Sequence, residues 1–344
     1  MIIITDKLKS PFDEGGRIAT RNLVQYIQGC NNPFVMSINS NDELPFVDAF
    51  FSTNKLFLNG DFHSALKKQP SKKILYIPSG SASIYSILRS KSLNVFANKE
   101  IYLFAFQPRK YVLSNWLYLR ALRPKLIIAP SSKTSQKLNG LKMPSVPLPL
   151  GVDDEQYFEL EPEQKRLVRE KYGIAEEKTV LLHVGHIQKS RNLGWLIEVK
   201  KNNPEFEIII VASSYNEDDK AVYTALLGRG IRLIREYIPN MVDIYNMADF
   251  YIFPVFQDYG SISTPLSVLE AMACNLPVIT TRFGSLPDTF KQDDDFHFIE
   301  SSAEIAPIIA GRKKKTCTNR EKVLPFTWKQ VGRKLVEIIE GRLN

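Results

Sequence analysis

The sequence predicts two successive α/β domains, each a parallel sheet wound with helices on both faces. Short β-rich apolar runs alternate with longer segments of helical period, which is the pattern of doubly wound sheets. At 344 residues the chain is too long for one ordinary core. The alternation ends at a turn-forming stretch, Pro149-Leu150-Gly151-Val152-Asp153, and then begins again. Domains of 1–150 and 151–325 are therefore expected, with a cleft between them, and a C-terminal segment, 326–344, follows.

Taken in order, the first series reads as strands over Met1 to Thr5, Pro33 to Ile38, Lys55 to Leu58, Lys73 to Ile77, Ile101 to Phe106, Leu126 to Pro130 and Val146 to Leu148. Helical period marks Ile18 to Gln28, Ser83 to Arg89 and Val112 to Leu122. A charged segment, Glu155 to Lys171, precedes the second series. Its strands are Thr179 to Val184, Glu207 to Ala212, Ile231 to Ile234, Phe250 to Phe253 and Pro277 to Thr280. Its helices are Leu193 to Asn202, Lys220 to Gly228, Met241 to Ala248 and Leu266 to Ala273, and an amphipathic helix, Trp328 to Ile339, closes the chain.

Composition narrows the function classes. Hydrophobic residues at 44% and charged residues at 24%, with Gly and Pro scattered, fit a globular protein rather than a disordered or fibrous one. The longest apolar runs fall short of the ~20 residues that cross a bilayer, and Met1 to Asp6 reads as a first buried strand rather than a signal peptide. A cytoplasmic location is expected, with peripheral contact at the inner membrane surface left open. Cys30, Cys274 and Cys317 lie far apart without metal or dithiol spacing and read as reduced thiols. A net charge of +8 favours anionic partners. The densest basic run, Arg312 to Lys315, lacks the interleaved aromatics of a nucleic-acid site and reads as a solvated loop or a contact with an anionic membrane. Asp293-Asp294-Asp295 reads as a solvated loop, and no metal site is expected.

Three loops can carry chemistry. Asp13-Glu14-Gly15-Gly16-Arg17 follows the first strand and precedes the first helix, where backbone amides can approach an anion, although a plain tight turn fits equally. Its spacing is neither GxGxxG nor a P-loop. Val184 to Leu193 occupies the same kind of turn in the second domain, and its His186, Lys189 and Arg191 are either phosphate-facing cations or a charged surface. The third loop, Gln257 to Pro265, leads from a strand into the helix Leu266 to Ala273. There the helix N-terminus offers an anion site, and Glu270 lies one turn in among apolar neighbours. A carboxylate so placed needs a partner, which two ribose hydroxyls or a salt bridge would supply.

The segment Pro265 to Ile279 resembles the donor-site signature of the retaining family 4 glycosyltransferases, which have the GT-B fold. Gly15-Gly16, the Pro149 to Asp153 linker with Phe158, Met247-Ala248-Asp249 and Phe326-Thr327-Trp328 agree with that family in order and spacing. The resemblance implies two Rossmann-like domains facing a cleft, with the C-terminal helix 326–344 packing back on the first, and a nucleoside diphosphate sugar as co-substrate, without a metal cofactor. It assigns ribose binding to Glu270 and contacts with sugar and diphosphate to Ser263, Thr264, Leu266 and Ser267, with Gly15, Gly16, Gly185 and His186 lining the donor. Backbone groups near Tyr237 and Ile238 would meet the base.

The chain also departs from the family pattern. Ile262 stands where a first glutamate is usual, and Asp258 is a candidate substitute. Phe106-Gln107-Pro108-Arg109 stands where a histidine is usual, and His63 reads as an ordinary core or surface histidine. The resemblance implies sugar transfer with retention, in which the leaving diphosphate takes the acceptor's proton while Arg191 and Lys189 stabilise its charge. The expected acceptor is a polysaccharide, a lipid-linked glycan or another acceptor, with nucleic acid excluded. The alternative is a non-catalytic nucleotide-sugar-binding or scaffold protein of the same fold.

Overall fold

The computed structural model describes residues 1–10, 12, 14–40, 42–107, 109, 120–212, 218–258, 261–312 and 316–342. Asp13, most of the helix expected over Val112 to Leu122, Pro108, Tyr259, Gly260 and Lys313 to Lys315 lie outside the described residues. Packing divides the chain into a first unit, Met1–Gly151 with Ile262–Thr264 and Trp328–Asn344, and a second unit, Val152–Ser261 with Pro265–Thr327.

The sheet of the first unit is wholly parallel, in the order β3-β2-β1-β4-β5-β6-β7. Its strands are β1 (Ile2–Asp6), β2 (Phe34–Ile38), β3 (Ala49–Phe51), β4 (Lys73–Ile77), β5 (Glu100–Phe104), β6 (Leu126–Ala129) and β7 (Ser145–Pro147). Every residue of β1 is buried, as expected where helices cover both faces of a parallel sheet. The order reverses between β1 and β4, so the chain leaves their carboxyl ends in opposite directions and opens a crevice there.

The expected strand Lys55 to Leu58 is a turn, and Ala49–Phe51 takes the edge position beside β2. Asn54 is the cause: its side-chain oxygen accepts from the amides of Leu56 and Leu58 at 3.0 and 2.9 Å, which fixes a local turn in place of a ladder. Two further helices, Gly60–Lys68 and Ser132–Gly140, are capped by Asn59 and Ser131. The helix begun by the Ser83 cap continues to Ala97.

The terminal helix Trp328–Glu340 packs within the first unit against the helix Gly15–Asn31. Gly332 makes this approach possible, since a Cβ there would overlap the Tyr26 ring.

The sheet of the second unit, also parallel, runs β10-β9-β8-β11-β12-β13. It comprises β8 (Val180–Val184), β9 (Glu207–Val211), β10 (Arg232–Ile234), β11 (Phe250–Phe253), β12 (Val278–Thr280) and β13 (Phe296–Phe298). Separate apolar clusters cover its two faces, one around Tyr245, Leu269 and Met272, the other around Leu196, Ile208 and Ile305. Here the order reverses between β8 and β11. The charged segment before β8 contains the helix Pro162–Lys171, which buries only Val168 and is tied down by Arg169, 2.7 Å from Asp249.

The acidic run 293–295 is a solvated loop only in its first two residues, since Asp293 and Asp294 are exposed. Asp295 is buried, pairs with Arg312 at 2.6 Å and accepts from Thr318, while Asp293 pairs with Lys322 at 2.6 Å. Arg312 therefore does structural work rather than facing solvent. The three cysteines are free.

Gly332→Ala is expected to destabilise the protein by about 1–3 kcal/mol through overpacking against Tyr26. Gly29→Ala, in a helix position with nothing within 4 Å, should raise stability by about 0.5–1 kcal/mol. Thermal unfolding of the two variants beside wild type checks both signs.

Candidate functional site

The crevice of the second unit is bounded by the segments that leave β8 and β11. After β8 the Gly185 amide donates to Val211 O at 2.9 Å, and the chain then forms a 3₁₀ turn, Lys189–Arg191. Asn192 takes a left-handed conformation (φ 55°) and donates its side-chain amide to Pro254 O at 3.1 Å, tying the two segments together.

Arg191 points inward and is only 8% exposed. A Cβ on Gly185 would stand 3.2 Å from the nearer guanidinium nitrogen of Arg191 and 3.1 Å from His183 Nε2, so the glycine leaves the space these side chains use. No carboxylate among the described residues pairs with Arg191, and its Nε has no acceptor. Burial lowers its pKa to about 10, offset in part by the Tyr251 hydroxyl, so it stays cationic at neutral pH. Burying an unpaired cation costs several kcal/mol. An anion delivered to this crevice would remove much of that cost.

His183, on β8, is fully buried, and burial pushes its pKa down to about 3, so the ring is neutral. Its Nδ1 lies 2.9 Å from Ile252 O. That contact requires a proton on Nδ1, which leaves Nε2, without a partner, as a bare acceptor beside Arg191.

On the β11 side, Pro265 precedes the helix Leu266–Ala273, whose first amides have no acceptor within the helix. Glu270, one turn in, is 9% exposed. Its partners are phenols rather than a cation: Tyr245 donates to Oε2 at 2.5 Å, and Tyr157 also bonds to the carboxyl group. The salt-bridge alternative is thereby set aside among the described residues. Burial pushes the Glu270 pKa up to about 7, with the Tyr245 and Tyr157 hydroxyls acting against the shift and the Asp153 charge adding to it. Tyr251, on β11, is buried with its hydroxyl 3.4 Å from Val184 O and bonded to Ser267, and it feels the charges of both Arg191 and Glu270.

Arg191, Gly185, Ser267, Leu266 and Glu270 thus collect at one crevice, with His186 half-buried in the same loop. Lys189 does not join them. Its side chain is 80% exposed, 3.8 Å from Asp219. Asp258 is exposed in the segment after β11, Tyr237 is 69% exposed, and Ile238 packs on the apolar cluster of Tyr245.

Ser263 and Thr264 belong to the first unit. The Ser263 amide donates to Phe106 O at 2.9 Å, and Thr264 Oγ1 accepts from the Leu150 amide at 3.3 Å. The Ser263 amide is therefore occupied rather than presented to a sugar, because the backbone beyond β5 takes it. In the same unit Gly15 and Gly16 open the helix Gly15–Asn31, Gly16 O accepts from Thr20, and Ile262 lies against Gly15. His63 is buried with Nε2 2.7 Å from Phe57 O, an ordinary core histidine. No group of three potential metal ligands occurs among the described residues.

The sequence reading passed over His183, Tyr157, Tyr245 and Tyr251. His183 and Tyr251 sit in apolar strands where their polar atoms are invisible to pattern, and Tyr157 and Tyr245 stand in mixed segments that no motif marks. Only Glu270, an acid inside an apolar helix, signalled that such donors must exist.

Residues 178–310 match the family model described as glycosyl transferases group 1. The chain is similar to Sulfoquinovosyl transferase SQD2 of Arabidopsis thaliana, 28% identical over 146 residues, which cover 42% of this chain and 27% of that protein. It is 23% identical to N-acetyl-alpha-D-glucosaminyl L-malate synthase of Bacillus anthracis over 164 residues, covering 43% of this chain and 38% of that one. The match thus spans well under half the length of these two curated relatives. Among solved structures, Anabaena HepE in complex with UDP and glucose superposes with a TM-score of 0.75 at 13% identity, covering 99% of each chain. A glycosyltransferase from Rickettsia africae gives 0.78 at 16% identity, covering 99% of this chain and 98% of that one. These likenesses show the GT-B fold.

The Glu270 environment sets a pH dependence of stability. Its native pKa, about 7, lies above the 4.5 of an ordinary glutamate, so between those values the native state binds the extra proton and stability falls as pH rises. The fall amounts to about 3 kcal/mol and is complete above pH 7. Glu270→Gln should abolish it, so the variant's advantage over wild type grows from near zero at pH 4.5 to its full size at pH 8. Denaturant melts across that range check this.

Proposed function

We propose that the chain is a glycosyltransferase that moves a sugar from a nucleoside diphosphate sugar to a hydroxylated acceptor with retention at the anomeric carbon, as the family 4 resemblance implies. The observation that carries the reading is the buried, uncompensated Arg191 guanidinium at the β8/β11 crevice beside the open start of the helix Leu266–Ala273. A diphosphate supplies the missing negative charge, and the amides of Leu266 and Ser267 supply donors to it. Glu270, held by two phenols, is an acceptor for ribose hydroxyls. HepE is described in complex with UDP and with UDP-glucose, which makes uridine donors the first to test.

In this reading the second unit holds the donor and the first the acceptor. As the glycosidic bond to the diphosphate breaks, negative charge grows on the leaving oxygen, and Arg191 and the helix amides stabilise it without reorganising. That oxygen then accepts the acceptor's proton. We take the charge stabilisation to come from these groups rather than from a metal. The acceptor is a glycan, a lipid-linked glycan or another hydroxylated molecule, and the place of work the cytoplasm or its membrane face.

One observation favours the second reading, binding without turnover: Ile262 stands in place of a carboxylate, and the neighbouring Ser263 amide is already taken. Release of free nucleoside diphosphate from a panel of donors and acceptors separates the two readings.

Arg191→Met should lower affinity for a nucleoside diphosphate by about thirtyfold or more, the worth of a charge-assisted pair. The same change should raise the melting temperature of the ligand-free protein, because it removes an unpaired buried charge. Calorimetric titration and thermal melts read these opposite effects, and a variant both weaker in binding and less stable would count against the assignment.

A further inference from the structure

The first unit has its own pocket, of about 300 Å³, lined by none of the residues of the β8/β11 crevice. It opens at the carboxyl ends of β1 and β4, where the strand order of the first sheet reverses. Its floor is self-satisfied. Asp6 and Arg89 pair at 2.6 Å, Asp6 also accepts from the Ser79 amide, and Arg89 donates to Tyr76 at 3.2 Å and to Lys55 O at 2.9 Å. The Arg89 guanidinium lies 4.7 Å over the Phe57 ring, so this ion pair is fixed in place and contributes no net charge.

The walls differ from the floor. Lys7 and Lys55 are both exposed, and neither pairs with a carboxylate among the described residues. Lys7 sits at φ 57° with its amide bonded to Ile38 O at 2.8 Å, a fixed backbone that sets where its side chain starts. Lys55 is anchored through its carbonyl, which Arg89 holds. Ser79 and Ser83 add hydroxyls, the latter at the start of the helix Ile84–Ala97, and the 55%-exposed Tyr85 adds a ring face at the rim. A neutral floor, two free cations, hydroxyls and one exposed ring fit a small polyhydroxylated molecule that carries negative charge.

We infer that this pocket seats the acceptor, and that the acceptor is a sugar or polyol bearing a phosphate or a carboxylate. The acceptor role rests on the transferase reading. The anion preference of the pocket does not.

The test is a titration of the full chain, followed through backbone amide NMR shifts, with glucose 6-phosphate, glucuronate and glucose. The two anionic sugars distinguish a phosphate from a carboxylate. At least one of them should shift the amides of Lys7, Ser79 and Gly80 and bind about tenfold more tightly than glucose, as a charge-assisted contact provides. The double variant Lys7→Gln, Lys55→Gln should lose that preference while keeping its amide spectrum, since both lysines hold the fold through backbone atoms. Equal binding of glucose, absence of any shift at the pocket, or a preference that survives the double variant would overturn the inference. A parallel titration with UDP, read at Arg191 and Ser267, reports on the donor reading alone: its failure would remove the transferase reading and leave the pocket's preference measured.

Discussion

Two buried ionisable groups of opposite sign, Arg191 and Glu270, both act on the hydroxyl of Tyr251 yet do not pair with each other. Had they met, each would have satisfied the other and the crevice would be closed chemistry. Kept apart, one is a cation without an anionic partner among the described residues, and the other a carboxyl group whose partners are phenols. The fold carries both at a cost to its own stability, and a ligand with phosphate at one end and vicinal hydroxyls at the other would recover it.

Strand order makes this placement possible. In each sheet the order reverses next to the strand that begins the unit, between β1 and β4 and between β8 and β11. Loops at such a point diverge and leave a crevice lined by strand ends and helix starts. The second unit fills its crevice rim with a buried arginine and a glycine that admits it. The first unit instead neutralises its floor with the Asp6–Arg89 pair and leaves lysines at the walls. One architecture thus presents two different chemistries, set by a few side chains at the same topological position.

Much of this was legible in the sequence because parallel strands buried on both faces write themselves as unbroken apolar runs. β1, β4, β8, β9 and β11 all fall where such runs occur. Short or polar elements leave no such mark. Phe296–Phe298 has three residues, Ser132–Gly140 buries few apolar ones, and Pro162–Lys171 is more than half charged. The Lys55 to Leu58 error has a specific cause, since the apolar run Leu56-Phe57-Leu58 reads as strand while a single Asn54 side chain bends the backbone. At the site, Glu270 stood out as an acid among apolar neighbours, whereas Arg191 and Lys189 look alike in sequence and only folding buries one and exposes the other. The occupied Ser263 amide depends on a carbonyl far away in the chain, which no local pattern contains.

The most direct test of the account is a carbon-13 NMR titration of the Glu270 side-chain carboxyl, free and with a nucleoside diphosphate sugar bound. The account predicts a midpoint near 7 in the free protein. On binding, the midpoint should fall as ribose hydroxyls donate to the ionised form. A midpoint near the ordinary 4.5, or one that the bound donor leaves unmoved, would contradict the role given to Glu270 and with it the central claim.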